Sequence, residues 1–202
     1  MGTDHYFSAE PAGRERRRTI STVLGGRTVE VCTANGTFSP DHVDTGTRVL
    51  LDTVPAPPPG ATLADIGCGW GPIALSAALL EPTATIWAVD VNTRAVQLTV
   101  DNAASLSVNV NAGVPEEIPP ELTFDLIWSN PPIRIGKAQL HELLLTWLPR
   151  LTLGGSAWLV VAKKLGAESL QRWLADSLPG EFAVDKVTIA KGFRVIRATR
   201  NG

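Results

Sequence analysis

The chain has 202 residues, 44% of them hydrophobic and 19% charged, which is the balance of a folded globular domain and excludes a disordered or fibrous segment. Its formal net charge of −2 argues against a protein that grips nucleic acid over its whole surface, while a local basic patch stays open. No run approaches the roughly 18 apolar residues of a membrane span, the N-terminus lacks the apolar core of a signal peptide, and Cys32, Cys68 and the scattered His5, His42 and His141 match no metal or redox spacing, so a cytoplasmic protein with no membrane or metal is expected.

The first elements are β-rich. "TISTVLGGRTVEVCT" is two strand-like runs around Gly25-Gly26, a hairpin signal. "DTGTRVLLDTV" reads as a short helix and "PAPPPG" as a stiff connector. From Ala61 the pattern changes to short apolar runs alternating with helical stretches. "TLADIG" is a strand followed by a helix through "GPIALSAALLEP"; "ATIWAVDV" is a second strand, followed by an amphipathic helix through "NTRAVQLTVDNAASL". "VNVNAG" and "FDLIWSN" are the next strands, "QLHELLLTWLPRL" a helix, "GSAWLVVAKK" a strand and "AESLQRWLADSL" a helix. "FAVDKVTIAK" and "FRVIRATR" close the chain as an antiparallel hairpin turning near Lys191-Gly192. Strands alternating with helices predict an α/β fold: a doubly wound, mostly parallel seven-stranded sheet, covered on both faces and ending in that hairpin. Residues 1–53 read as a hairpin-and-helix extension and 54–202 as the main domain.

After the first strand of the sheet comes Asp65-Ile66-Gly67-Cys68-Gly69-Trp70-Gly71-Pro72. Glycines there let the backbone turn tightly and let a ligand approach the main chain, and Pro72 suits the first turn of a helix. The spacing is G-x-G-x-G, not the G-x-G-x-x-G of dinucleotide sites. An acidic residue opens the loop, a poor neighbour for a pyrophosphate and a good one for an ammonium group. Asp90 ends the second strand, where a carboxylate can accept from both hydroxyls of a ribose.

"DIGCGWG" followed by "VDVN" resembles the class I S-adenosylmethionine-dependent methyltransferases, whose Rossmann-like fold the element order also fits. The resemblance implies S-adenosyl-L-methionine as cofactor. It implies that Gly67, Gly69 and Gly71, with Cys68 and Trp70 between them, lie beneath its methionine part, Trp70 packing beside it. Asp65 would reach the amino group and Asp90 the ribose, with adenine between Val91 and the turn Asn111-Ala112-Gly113. The segment around Asp44, Gly46 and Thr47 would cover the carboxylate end; its plain alternative is a capped helix start.

The fourth strand of that fold ends beside the transferred methyl, and here it ends in Ser129-Asn130-Pro131-Pro132. Prolines cannot extend a sheet. An exocyclic amino group is a poor nucleophile because its lone pair is delocalised. The Asn130 side-chain oxygen and the Pro131 carbonyl can accept from its two N–H groups and aim that lone pair, while Pro131 and Pro132 stiffen the turn and remove competing donors. N-P-P at this point resembles methyltransferases of planar nitrogens: adenine N6, guanine N2 or the glutamine amide. "TFSPDHVDTGTRVLLD", "DIGCGWGPIAL", "VDVNTRAVQLTVDNA" and "FDLIWSNPPIRIGK" together resemble the ribosomal RNA guanine-N2 methyltransferases of the small-subunit (RsmC-like) type, over roughly Phe38 to Leu165. That family implies ribosomal RNA or the small ribosomal subunit as partner. The residue after N-P-P is usually aromatic, to stack on the target; here it is Ile133, which leaves Phe38, Tyr6 or Phe7 as substitutes. Arg134 and Lys137 flank the turn as candidate phosphate contacts. Two further basic clusters are Arg14, Arg16, Arg17 and Arg18 before the hairpin, and Lys186, Lys191, Arg194, Arg197 and Arg200 in the closing hairpin. The alternatives are a glutamine-amide protein methyltransferase and a cofactor- or RNA-binding module without catalysis.

Overall fold

The computed structural model describes residues 14–202. His5, Tyr6 and Phe7 lie outside the described residues. The strands β1 (Arg17–Leu24) and β2 (Arg27–Ala34) pair antiparallel with Leu24 opposite Arg27, and the two-residue turn between them puts Gly25 and Gly26 at φ 53° and 75°. Positive φ at both central residues is the turn whose twist matches a hairpin. Helix α1 (Thr45–Leu51) follows, its first turn capped by the Asp44 carboxylate, which accepts from Gly46 N at 2.7 Å.

The main sheet runs β3 (Thr62–Ile66), β4 (Thr85–Val89), β5 (Asn111–Gly113), β6 (Phe124–Ser129), β7 (Leu151–Ala162), β8 (Phe182–Ala190) and β9 (Phe193–Arg200) in chain order. In space the order is β5-β4-β3-β6-β7-β9-β8, parallel from β5 to β7, with β9 inserted antiparallel between β7 and β8. Helices α2 (Pro72–Leu80), α3 (Thr93–Ser105), α4 (Lys137–Trp147) and α5 (Ala167–Ser177) join the strands.

Side chains alternate across the strands, which makes two cores. Leu63, Trp128, Trp158 and Val195 pack with α1 and α2; Ala64, Ile127, Leu159 and Ile196 pack with α4 and α5. Connections wound to opposite faces reverse direction between β3 and β6. The carboxyl ends of those strands therefore diverge into a crevice, which is where ligands of such sheets bind.

Two boundaries differ from the sequence pattern. "VNVNAG" contributes only three strand residues, because Val108 N closes the end of α3 on Ala103 O (3.0 Å) and Ser107 takes φ 55°. Strand β7 begins at Leu151, four residues before the predicted start, because a register shift against β6 lets the chain continue through Gly154-Gly155.

The β1–β2 hairpin shares a core with the sheet's helices. Leu24 and Val31 pack with Trp70, Leu75, Leu79 and Leu98. Asn102 of α3 fastens β2: its Oδ1 accepts from Cys32 N (2.6 Å), and its Nδ2 donates to Cys32 O and Trp70 O. Among the described residues no helix is long and apolar enough to cross a membrane, and no group of three His, Cys, Asp or Glu is placed to hold a metal.

Candidate active site

The crevice holds a cleft of about 330 Å³, within the range of small-molecule sites. Its floor is the β3–α2 loop. Gly67 N and Cys68 N both donate to Val89 O, at 2.8 and 3.0 Å, which holds the loop across the end of β4. Gly71 sits at φ 95° as the N-cap of α2, and a Cβ there would meet Thr99 Oγ1 at 2.9 Å, so only glycine fits.

Asp90 turns back into this loop. Its Oδ2 accepts from Gly69 N (2.9 Å) and its Oδ1 from Asn92 N (2.9 Å). With Val91 N as a further donor the carboxylate is fixed in place at the cleft wall, with acceptor capacity left for a ribose hydroxyl. Burial raises its pKa, offset in part by hydrogen bonds from Asn92, Gly69 and Val91 N. Asp65 lies deeper, at 0% exposure. Its Oδ2 accepts from Ala74 N (3.0 Å), its Oδ1 is buried without a partner, and burial pushes its pKa up to about 8. Asp65 is therefore held largely protonated at neutral pH in the cofactor-free protein, its orphaned oxygen a buried polar atom behind the glycine loop. Asp65 itself does not line the cleft.

Opposite the loop stands the end of β6. Ser129 Oγ donates to Ile66 O, tying β6 to β3. The Asn130 amide then points towards α1: its Nδ2 donates to Asp44 Oδ2 and to Thr47 Oγ1, both at 3.1 Å. The opposite amide rotamer would set Oδ1 against a carboxylate oxygen, two acceptors with no proton between them. With both amide protons committed, Oδ1 is the end left to the cleft, which Asn130 lines. Pro132 has φ −74° and ψ 72°, a tight inverse γ-turn in which Ile133 N donates to Pro131 O at 2.8 Å. The Pro131 carbonyl therefore has one lone pair remaining; the prolines remove their own N–H groups, but Ile133 supplies a donor to that carbonyl.

The other expected residues divide. Gly67, Gly69, Val91, Pro131, Pro132, Ile133, Arg134 and Phe38 line the cleft, and Thr47, bonded to Asn130, lines a small recess that shares Asn130, Gly67 and Gly69 with it. Trp70 is absent from the lining of the main cleft: its ring is buried with the hairpin core and its Nε1 donates to Ser39 O (3.1 Å), while with Cys68 and Thr47 it lines a small recess beside the glycine loop. Cys68 is likewise buried in the α1/α2 core, its Sγ 3.7 Å from Thr99 Oγ1. Asn111 and Ala112 are off the cleft, since they pair with Trp87 and Ala88 inside β4, below the strand ends. Pro115 and Ala95 line the wall there instead. Lys137 is exposed on the first turn of α4 beside His141 and does not line the cleft; burial and the Lys137 charge lower the His141 pKa. Sequence reasoning missed Leu143, Trp147, Lys164, Leu165 and Phe193, which form the wall opposite the glycine loop. The one signal for them was the paired lysines closing "VVAKK" at a strand end.

The methyltransferase small domain model matches residues 28–197, most of the chain. The chain belongs to that family. It is a class I S-adenosylmethionine-dependent methyltransferase, and S-adenosylmethionine is its methyl donor. The residues fit that donor: Asp90, fixed at the cleft wall, offers an acceptor for a ribose, and the orphaned oxygen of Asp65 is a buried polar atom behind the glycine loop that an ammonium group would satisfy. Its relatives include the uncharacterized protein YbxB of Bacillus subtilis (strain 168), 33% identical over 98% of this chain and 99% of that protein. The ribosomal RNA small subunit methyltransferase C of Serratia proteamaculans is 36% identical over 54% of this chain and 31% of its own length. The large subunit methyltransferase G of Pseudomonas syringae pv. syringae is 31% identical over 68% and 39%. The chain thus spans about a third of these two named RNA methyltransferases. In fold it superposes on a Thermus thermophilus 16S rRNA N2 G1207 methyltransferase, solved with its cofactor and guanosine, at a TM-score of 0.79, with 23% identity, over 92% of this chain and 51% of that one.

Proposed function

We propose that the protein methylates the exocyclic N2 of a guanine in ribosomal RNA, acting in the cytoplasm on free RNA or on the small ribosomal subunit. The observation that carries the reading is the locked amide of Asn130, whose Nδ2 is held by Asp44 and Thr47. An amide oxygen presented at the end of β6 accepts one N–H of a planar amino group, and the remaining lone pair of the Pro131 carbonyl accepts the other. Held at both hydrogens, the nitrogen is drawn out of conjugation with its ring and its own lone pair is directed into the cleft. S-adenosylmethionine, when bound, supplies a methyl group on a positively charged sulfur. The chain contributes position: Asp90 and the glycine loop fix one reactant, Asn130 and the γ-turn fix the other, and such alignment is worth several kcal/mol of barrier. The proton leaves after the nitrogen has become cationic, so no strong base is needed, consistent with the wall of Ile133, Leu143 and Phe193 around the turn.

The names carried by the Serratia and Pseudomonas relatives support RNA as substrate, and the Thermus fold match supports guanine. The test offers radiolabelled S-adenosylmethionine with unmodified ribosomal subunits, free ribosomal RNA and total protein. Label recovered as N2-methylguanosine is the expected result; label in glutamine of a protein, or no label despite cofactor binding, overturns it. Asn130→Ala should reduce transfer by about 10² to 10³ while cofactor affinity holds; loss of both together would make Asn130 structural.

A further inference from the structure

Five arginines of this acidic protein are engaged with carboxylates. Arg17 is bonded to Glu15 and Asp101, and Arg18 to Asp41. In the closing hairpin Arg197 pairs with Asp185 and Arg200 with Glu181, while Arg194 donates to Gln171 and lies near Glu168. Five of the nine residues in the two basic clusters seen in the sequence are therefore engaged with carboxylates inside the fold. Among the described cations that make no ion pair, five stand on or beside turns that follow strands of the main sheet: Arg134, Lys137, Lys163, Lys164 and Lys191.

Topology gathers these five in one place. Arg134 and Lys137 lie on the turn after β6, Lys163 and Lys164 on the turn after β7, and Lys191 on the β8–β9 turn. Strands β6, β7 and β9 are neighbours, and Ala162 pairs with Phe193, so all three turns stand at the same edge of the sheet. Lys163 N donates to Gly192 O at 2.9 Å, which fixes two of the turns against each other. Arg134 and Lys164 line the cleft itself, on the side away from Asp90. The nearest acid along the chain is Glu168, which is engaged with Arg194.

We propose that these three turns are the phosphate-contacting rim of the protein, receiving the backbone of a single-stranded RNA segment whose target base enters between Ile133 and Phe193. The inference rests on the RNA reading of the site and names the surface that reading leaves open. Unpaired cations with fixed backbone, beside a cleft and on a molecule of net negative charge, suit a localised polyanion. The β1–β2 hairpin is less suited: its Arg17 and Arg18 are tied to carboxylates, and its remaining Arg16 and Arg27 stand at opposite ends of the ribbon.

The test compares Lys163→Gln/Lys164→Gln/Lys191→Gln with a hairpin control, Arg16→Gln/Arg27→Gln, for methyl transfer to small-subunit ribosomal RNA and for binding of a labelled single-stranded RNA at several salt concentrations. The rim variant should raise KM for RNA by about tenfold or more and flatten the logarithmic salt slope by about two, with cofactor affinity unchanged. The hairpin variant should leave both as they were. If RNA is methylated but only the hairpin variant loses binding, the rim is wrong and the RNA reading stands. If the unaltered protein methylates no RNA, or methylates only protein, both fall.

Discussion

An asparagine amide can turn end for end with almost no change in shape, so a site that depends on its oxygen must fix which end faces the ligand. Here a carboxylate does this for Asn130, because Asp44 can only accept. Asp44→Asn preserves size and the cap on α1 but offers an N–H that would bond the reversed amide. We expect kcat to fall about tenfold, the loss of one charge-assisted preference, with the KM for cofactor little changed. A raised KM at unchanged kcat would assign Asp44 to binding alone. Asp65 gives a pH prediction. Its pKa is raised by burial from the ordinary 3.8 to about 8, so the folded protein holds a proton that the unfolded chain has released. Stability of the cofactor-free protein is then greatest at the acid end of that window and falls as pH rises towards 8, with Asp90 shifted in the same direction. Thermal melts across the window should show this slope, and Asp65→Asn should flatten it; an unchanged slope would place the titration elsewhere. The glycines, Asp90 and Asn130 were legible in the sequence because backbone turns and strand ends require particular residues there. Phe193 and Lys164 were not, since they meet only when β9 inserts beside β7.

At the scale of elements, alternation and glycine punctuation were enough to place every strand and helix of the sheet, because half-buried strands and amphipathic helices leave distinct periods. Side-chain direction inside an irregular loop has no period, so the pattern could not show that the Trp70 ring packs under the hairpin while lining the small recess beside the glycine loop. That hairpin is attached through a narrow fit. A Cβ on Gly25 would meet Leu79 Cβ at 2.7 Å and Ser76 O at 3.1 Å, whereas a Cβ on Gly26 meets nothing within 4 Å. Both residues have positive φ, so each alanine carries a backbone cost of about 1 kcal/mol. Gly25→Ala must also push β1–β2 off α2 and should lose clearly more stability in urea unfolding than Gly26→Ala. Equal losses would mean that the hairpin is only loosely seated.

Across the whole molecule, charge is sorted by pairing rather than by count. A net charge of −2 conceals a rim of unpaired cations at one edge of the sheet, and no tally of lysines and arginines could have located it. The site is sorted too, by distance along the chain. The cofactor floor is assembled from neighbouring segments: Gly67 N meets Val89 O, and Asp90 reaches back to Gly69, 21 residues away. The amide of Asn130 instead waits for Asp44, 86 residues earlier. Closing the longer loop costs more entropy, so we expect this contact to form later than the cofactor floor. During refolding from denaturant, cofactor binding should return before turnover, and a simultaneous return would show that both ends form in one step. A chain still completing its fold can thus hold the methyl donor without transferring the methyl, so the last long-range contact to form acts as a safety catch on the chemistry.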